Sequence, residues 1–170
     1  MWGNLGYDPA QNVETPKFKN KNIQFYDDEQ TKTLFTYLED ENIKWQTIIK
    51  IGIYTEMIRG EIAGLSWKNI DLKNGLLHIE KQCKYSSSKG VYLKTPKSEK
   101  SIRTITIPKA VIEQIKAYKK WYNQNKKIID IQNSGMLFYV ENDGLLNPDN
   151  ITDWFSKFIK KNELDKITVH

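Results

Sequence analysis

The chain has one cysteine (Cys83), two histidines (His78 and His170) and two arginines (Arg59 and Arg103) among its 170 residues. A single cysteine excludes an internal disulfide and any cysteine-rich metal site, and a reducing cytosol fits best. No apolar run approaches the roughly 18 residues of a transmembrane helix. The first residues, MWGNLGYDPAQ, carry neither a basic n-region nor an apolar h-region, so no secretory signal is expected. The phosphate loop G-x-x-x-x-G-K-S/T, the dinucleotide fingerprint G-x-G-x-x-G and the zinc motif H-E-x-x-H are all missing. Two histidines also leave no convincing Ser-His-Asp set, and His78 reads as a plain strand residue.

What is present describes a folded domain with a mild basic excess. Hydrophobic residues make up 39% and aromatics 12%, with five tryptophans, too much for a disordered chain. Lys and Arg number 26 against 21 Asp and Glu, a net charge of +5 that tilts toward an anionic partner. Nearly all of that base is lysine, which together with abundant Ile and Asn looks like AT-rich codon bias. An arginine that survives such bias is more informative, because its planar fork of donors is hard to replace.

Residues 1–24 contain Pro9, Pro16 and the stretch PKFKNKN and read as a basic linker; residues 25–170 read as one domain. Asp27, Asp28 and Glu29 open a first helix by capping it and facing its dipole. A second helix is expected over about 44–57. Trp45, Ile48, Ile49, Gly52 and Ile53 share one face, with Ile51 and Tyr54 on others, as in a central helix. A short turn and helix follow from Arg59 to Leu65. The period then becomes two: Leu77, Ile79, Lys81 and Cys83 predict a strand, and 91–95 and 102–107 two more. Pro108 opens a long helix striped with Val111, Ile112, Ile115, Tyr118, Trp121 and Tyr122. Met136-Leu137-Phe138 reads as a short buried strand. Asn147-Pro148-Asp149 caps a last helix carrying Ile151, Trp154, Phe155, Phe158 and Ile159. These aromatic stripes read as core rather than as stacking platforms. The fold class is α+β, mostly helical, with helices packed around a small three-stranded antiparallel sheet.

Three segments go further than composition. The stretch from Thr55 through Arg59-Gly60-Glu61 to Leu65, Trp67, Ile70 and Asp71 resembles the first signature box of the tyrosine recombinase, or phage integrase, family. That box runs approximately T-G-x-R-x-G-E-x-x-x-L-x-W-x-D-I-D. Thr95-Pro96-Lys97-Ser98 to Ser101-Ile102-Arg103-Thr104-Ile105 is similar to the family's P-K-T-x-x-S-x-R-x-I hairpin, and Ile167-Thr168-Val169-His170 to its I-T-x-H. Residues 4–16 are similar to the connection that leaves the family's separate DNA-clamping domain.

The resemblance implies site-specific recombination of duplex DNA in a phage or mobile element. A tyrosine hydroxyl forms a 3′-phosphotyrosyl link and frees a 5′-hydroxyl, with no metal and no cofactor, because the covalent link conserves the bond energy. It further implies assembly into a tetramer on DNA, away from membranes. Carried over by position, Lys97 is the hairpin lysine that protonates the departing 5′ oxygen, and His170 is the box histidine. Glu61 braces the first box, with a structural role. The family's clamping arginine falls at Ile58 and its usual glycine at Glu56, while Arg59 stands one place later. Either the local backbone lets Arg59 serve as the catalytic guanidinium, or the domain lacks its first phosphate clamp. The family's second arginine and its tyrosine fall beyond His170, so the chain is expected to be a fragment of a catalytic domain. The competing reading is a non-catalytic DNA-binding relative, favoured by Ile58.

Overall fold

A computed structural model describes residues 26–95, 102–125, 135–140 and 144–165. The linker expected over 1–24 lies outside them, as do Lys97 and His170. Five helices surround a small antiparallel sheet, as the sequence pattern predicts. Helix α1 is Asp28–Leu38, entered through a capping box. The Asp27 carboxylate accepts from the Gln30 N–H (2.8 Å), and the Gln30 side chain accepts from the Asp27 N–H (3.0 Å). Helix α2, Ile43–Thr55, buries Thr47, Ile48, Ile49 and Ile51, while Tyr54 stays 43% exposed and stacks on Phe35. It is a central helix with one wet edge.

The stop of α2 sets the geometry of everything that follows. Glu56 takes a left-handed conformation (φ 53°, ψ 22°) and its N–H bonds the Gly52 carbonyl. A residue with a Cβ is strained there. The turn sends Met57 into the core, 2% exposed, and leaves Ile58 46% exposed at the start of α3, Arg59–Ala63. This short helix lies on backbone. A Cβ on Gly60 would come within 2.9 Å of the Cys83 carbonyl oxygen, and one on Gly64 within 2.8 Å of that of Lys81. Two glycines one turn apart therefore bring α3 against the strand at 82–86 more closely than any other residue pair allows.

The three-stranded sheet consists of β1 (Ile70–Asp71), β2 (Leu76–Ile79) and β5 (Arg103–Thr106), in the order β1-β2-β5. Register pairs Leu77 with Ile70 on one side and with Ile105 on the other, and Ile79 with Arg103. Strands β3 (Gln82–Ser86) and β4 (Gly90–Lys94) form a separate ribbon, with Cys83 opposite Leu93. The single strand expected through 77–83 is thus two strands in two sheets, and the segment at 91–95 pairs with β3 instead of joining the larger sheet. The alternation could not reveal the step, because Leu77, Ile79 and Cys83 are buried on both sides of it and keep the same parity.

Helix α4 (Lys109–Asn125) follows Pro108, and α5 (Pro148–Lys161) follows Asn147, whose side chain accepts from the Asp149 N–H at 3.0 Å. The stripes of these helices do form core. Tyr118, Ile151 and Phe155 are essentially buried, and Trp154 stacks on Trp45 with centroids 4.7 Å apart. The segment at 136–138 is buried as expected but is tied by single contacts rather than a strand. The Leu137 N–H donates to the Leu65 carbonyl (2.8 Å), the Tyr118 hydroxyl donates to the Leu137 carbonyl (3.0 Å), and Met136 bridges Ser66. Among the described residues no helix is long and apolar enough to cross a membrane.

Relief of the strained turn has a measurable consequence. Glu56→Gly should raise the free energy of unfolding by about 0.5–1 kcal/mol, read from denaturant midpoints, because glycine adopts positive φ without steric cost. A loss of stability would show that the turn draws more from the glutamate side chain than it loses to strain.

Candidate functional site

The two internal segments that look like signature boxes meet through one ion pair. Arg103, the first residue of β5, donates from Nη1 to Glu61 Oε1 at 2.6 Å and from Nη2 to Glu61 Oε2 at 2.9 Å. This is a bidentate fork, the strongest geometry open to a guanidinium and a carboxylate. Glu61 is 9% exposed, and its Oε2 also accepts from the Ile58 N–H at 3.2 Å, so the same carboxylate caps α3. The Glu61 hydrogen bond raises the Arg103 pKa above its ordinary value, so the guanidinium keeps its charge. Arg103 is therefore committed to Glu61, and Glu61 has the bracing role that the resemblance implies.

Beside this brace runs a groove of about 350 Å³. The start of α3 supplies Ile58, Arg59 and Gly60, strand β3 supplies Gln82 to Tyr85, and the start of α5 supplies Asn147, Pro148 and Asp149. Arg59 spans it toward α5. Its Nη1 donates to Thr152 Oγ1 at 2.8 Å and lies 3.0 Å from Asp149 Oδ1. Both charged side chains are close to half exposed, at 41% and 52%, so this pair contributes at most about 1 kcal/mol to stability. Ile58, apolar and 46% exposed, lines the same groove. Cys83 at the groove floor is not a nucleophile. Its thiol donates to the Ala63 carbonyl at 3.3 Å, and burial pushes its pKa up to about 11. His78 is a strand residue as read, with Nδ1 2.8 Å from the Thr104 hydroxyl.

Of the residues expected to carry chemistry, Arg59 is in the groove, while Lys97 and His170 lie outside the described residues. The strands that flank Lys97 are present, β4 ending at Lys94 and β5 starting at Arg103, yet they belong to different sheets and are not partners of one another. Asp149 and Thr152 escaped the sequence reading. Both stand about 90 positions from Arg59, and Asp149 in a helix-opening Asn-Pro-Asp reads as a cap alone. Lys84 and Tyr85 of the β3–β4 ribbon also line the groove and were not singled out from the sequence.

Comparison with known proteins gives a consistent result. The family model described as "Phage integrase family" matches residues 24–170. The ICEBs1 integrase of Bacillus subtilis (strain 168) is 23% identical over 167 residues, covering 98% of this chain and 45% of the relative. A XerC-like tyrosine recombinase of Caldanaerobacter subterraneus is 24% identical, covering 90% of this chain and 40% of the relative. The chain thus spans less than half the length of these relatives. Among solved structures, the Tn1549 transposon integrase in complex with a circular intermediate DNA superposes with a TM-score of 0.72 at 20% identity. That match covers 87% of this chain and 48% of the other. The XerA recombinase gives 0.66 at 15% identity, covering 91% and 48%. At such identities the structural likeness is one of fold.

The brace and the groove pair should separate cleanly by mutation. Glu61→Ala leaves a guanidinium and an amide N–H without their acceptor and should destabilise by about 2 kcal/mol or more, whereas Arg59→Ala should change stability by less than about 1 kcal/mol. Chemical denaturation of both variants checks this, and equal losses would contradict the assignment of Glu61–Arg103 as the structural pair.

Proposed function

The chain belongs to the phage integrase family, and from that premise we propose that it acts on duplex DNA in site-specific recombination. The reaction is the integration or excision of a phage or other mobile element. Strands are cut and rejoined through a 3′-phosphotyrosyl link, with the tyrosine supplied from outside these 170 residues and without metal or cofactor. The observation that carries the reading is the bidentate Glu61–Arg103 pair, which joins the two internal box-like segments beside a groove containing a guanidinium. In this reading Arg59, Lys97 and His170 are the catalytic residues. Arg59 clamps the scissile phosphate, since a fork of N–H donors suits the charge that develops on non-bridging oxygens. Lys97, six residues before the β5 strand that the brace fixes, protonates the 5′ leaving oxygen. His170 shares the proton traffic of the nucleophile. The protein works in the cytoplasm, and tetramers form on the DNA.

Ile58 supports a second reading, a DNA-binding relative without catalysis. It is apolar, 46% exposed, and sits in the groove where the family pattern has an arginine.

Both readings require electrostatic binding to duplex DNA. Affinity should fall linearly on a logarithmic salt scale, with a slope of about −0.9 for each phosphate neutralised, and Arg59→Gln should reduce that slope by about one. Fluorescence anisotropy over a salt series measures it. Binding that is absent at low salt sinks both readings. The two diverge in a protein carrying its tyrosine: Lys97→Ala should slow strand cleavage about a hundredfold or more, with duplex affinity changed by less than about twofold. A 5′ leaving group that needs no protonation should restore the rate. No cleavage by the unmutated protein would favour the binding relative.

A further inference from the structure

Among the described residues, Arg59 is held at one nitrogen. Nη1 takes both α5 partners, Thr152 Oγ1 and Asp149 Oδ1, while Nε and Nη2 have no partner among the described residues. The tether does little for the fold. It is exposed, and α5 is already docked by the fully buried Ile151 and the 2% exposed Phe155. What the tether does fix is direction. An arginine side chain has several freely rotating bonds, and fixing one nitrogen against two acceptors selects one orientation of a planar group. The remaining edge, Nε with Nη2, is the geometry that grips two oxygens of one phosphate.

We propose that Asp149 and Thr152 are positioning residues. From α5 they hold the Arg59 guanidinium by Nη1, so that its Nε–Nη2 edge takes a DNA phosphodiester in the groove where Ile58 offers no donor. The proposal rests on the DNA-binding reading above and adds the part that α5 plays in it. It also accounts for the position of Arg59 one residue after Ile58. The side chain leaves the start of α3 in a new direction, and two groups on a neighbouring helix meet it there.

Thr152→Val tests this without changing charge or shape. The measurement is duplex affinity at fixed salt for the unmutated protein, Thr152→Val, Arg59→Gln and the double variant, with thermal melting in parallel. Thr152→Val should weaken binding about two- to tenfold, the range of one hydrogen bond, and should cost nothing further once Arg59 is already glutamine. Asp149→Asn is the second variant. Removing a negative charge near DNA would by itself tighten binding, so weaker binding there identifies positioning, and tighter binding overturns the proposal by showing that Asp149 masks Arg59. Thr152→Val that binds like the unmutated protein overturns it as well. Equal losses with and without Arg59 also overturn it, marking a general effect on the fold. Failure of the unmutated protein to bind DNA removes the proposed function itself, whereas normal binding with an indifferent Thr152→Val removes only the α5 anchor.

Discussion

The carboxylate of Glu61 is the point on which the rest of the site depends. It faces two directions at once. It closes the start of α3 through the Ile58 N–H, and it receives both terminal nitrogens of Arg103 from the start of β5. An ion pair with one buried partner, here Glu61, is a modest source of net stability, because taking that carboxylate out of water offsets part of the attraction. Its value is geometric. Apolar packing could hold α3 against the sheet in several registers, but a bidentate fork satisfied at 2.6 and 2.9 Å accepts only one. The residues before Arg103 in sequence include Lys97, so the pair fixes the strand into which that segment runs.

Around the brace, local choices agree with one another. Gly60 and Gly64 remove the side chains that would separate α3 from β3, and the left-handed Glu56 turns the chain so that Met57 enters the core while Ile58 and Arg59 face the groove. The groove is therefore walled by backbone on one side and by the first turn of α5 on the other. Its one guanidinium is exposed and weakly paired, and an anionic ligand can compete for such a group. Arg103, held by both oxygens of the Glu61 carboxylate, is not free in the same way. The two arginines of the chain have divided the work, one for the fold and one for the groove.

Much of this was legible in the sequence. Caps at Asp27 and Asn147, the helix-opening Pro108 and the aromatic stripes of α4 and α5 are local signals, and they placed those helices within a residue or two. The box-like segments singled out Glu61 because their spacing is strict, and Arg59 stood out as one of two arginines, one place after the position where that spacing puts one. Other features were hidden for identifiable reasons. The step from β2 to β3 preserves the parity of buried positions, so period-two reasoning passes through it. The partners of Arg59 lie on a helix far along the chain, and no local pattern distinguishes a helix-opening aspartate that caps from one that also holds an arginine. The strained turn at Glu56 was visible only as a glycine position filled by something else.

The decisive measurement is a structure of the protein on duplex DNA. A backbone phosphate should lie within hydrogen-bond distance of Arg59 Nε and Nη2, with Nη1 still on Asp149 and Thr152 and the Glu61–Arg103 fork unchanged. A phosphate seated against Ile58 with Arg59 turned away, or DNA bound on a face remote from this groove, would contradict it.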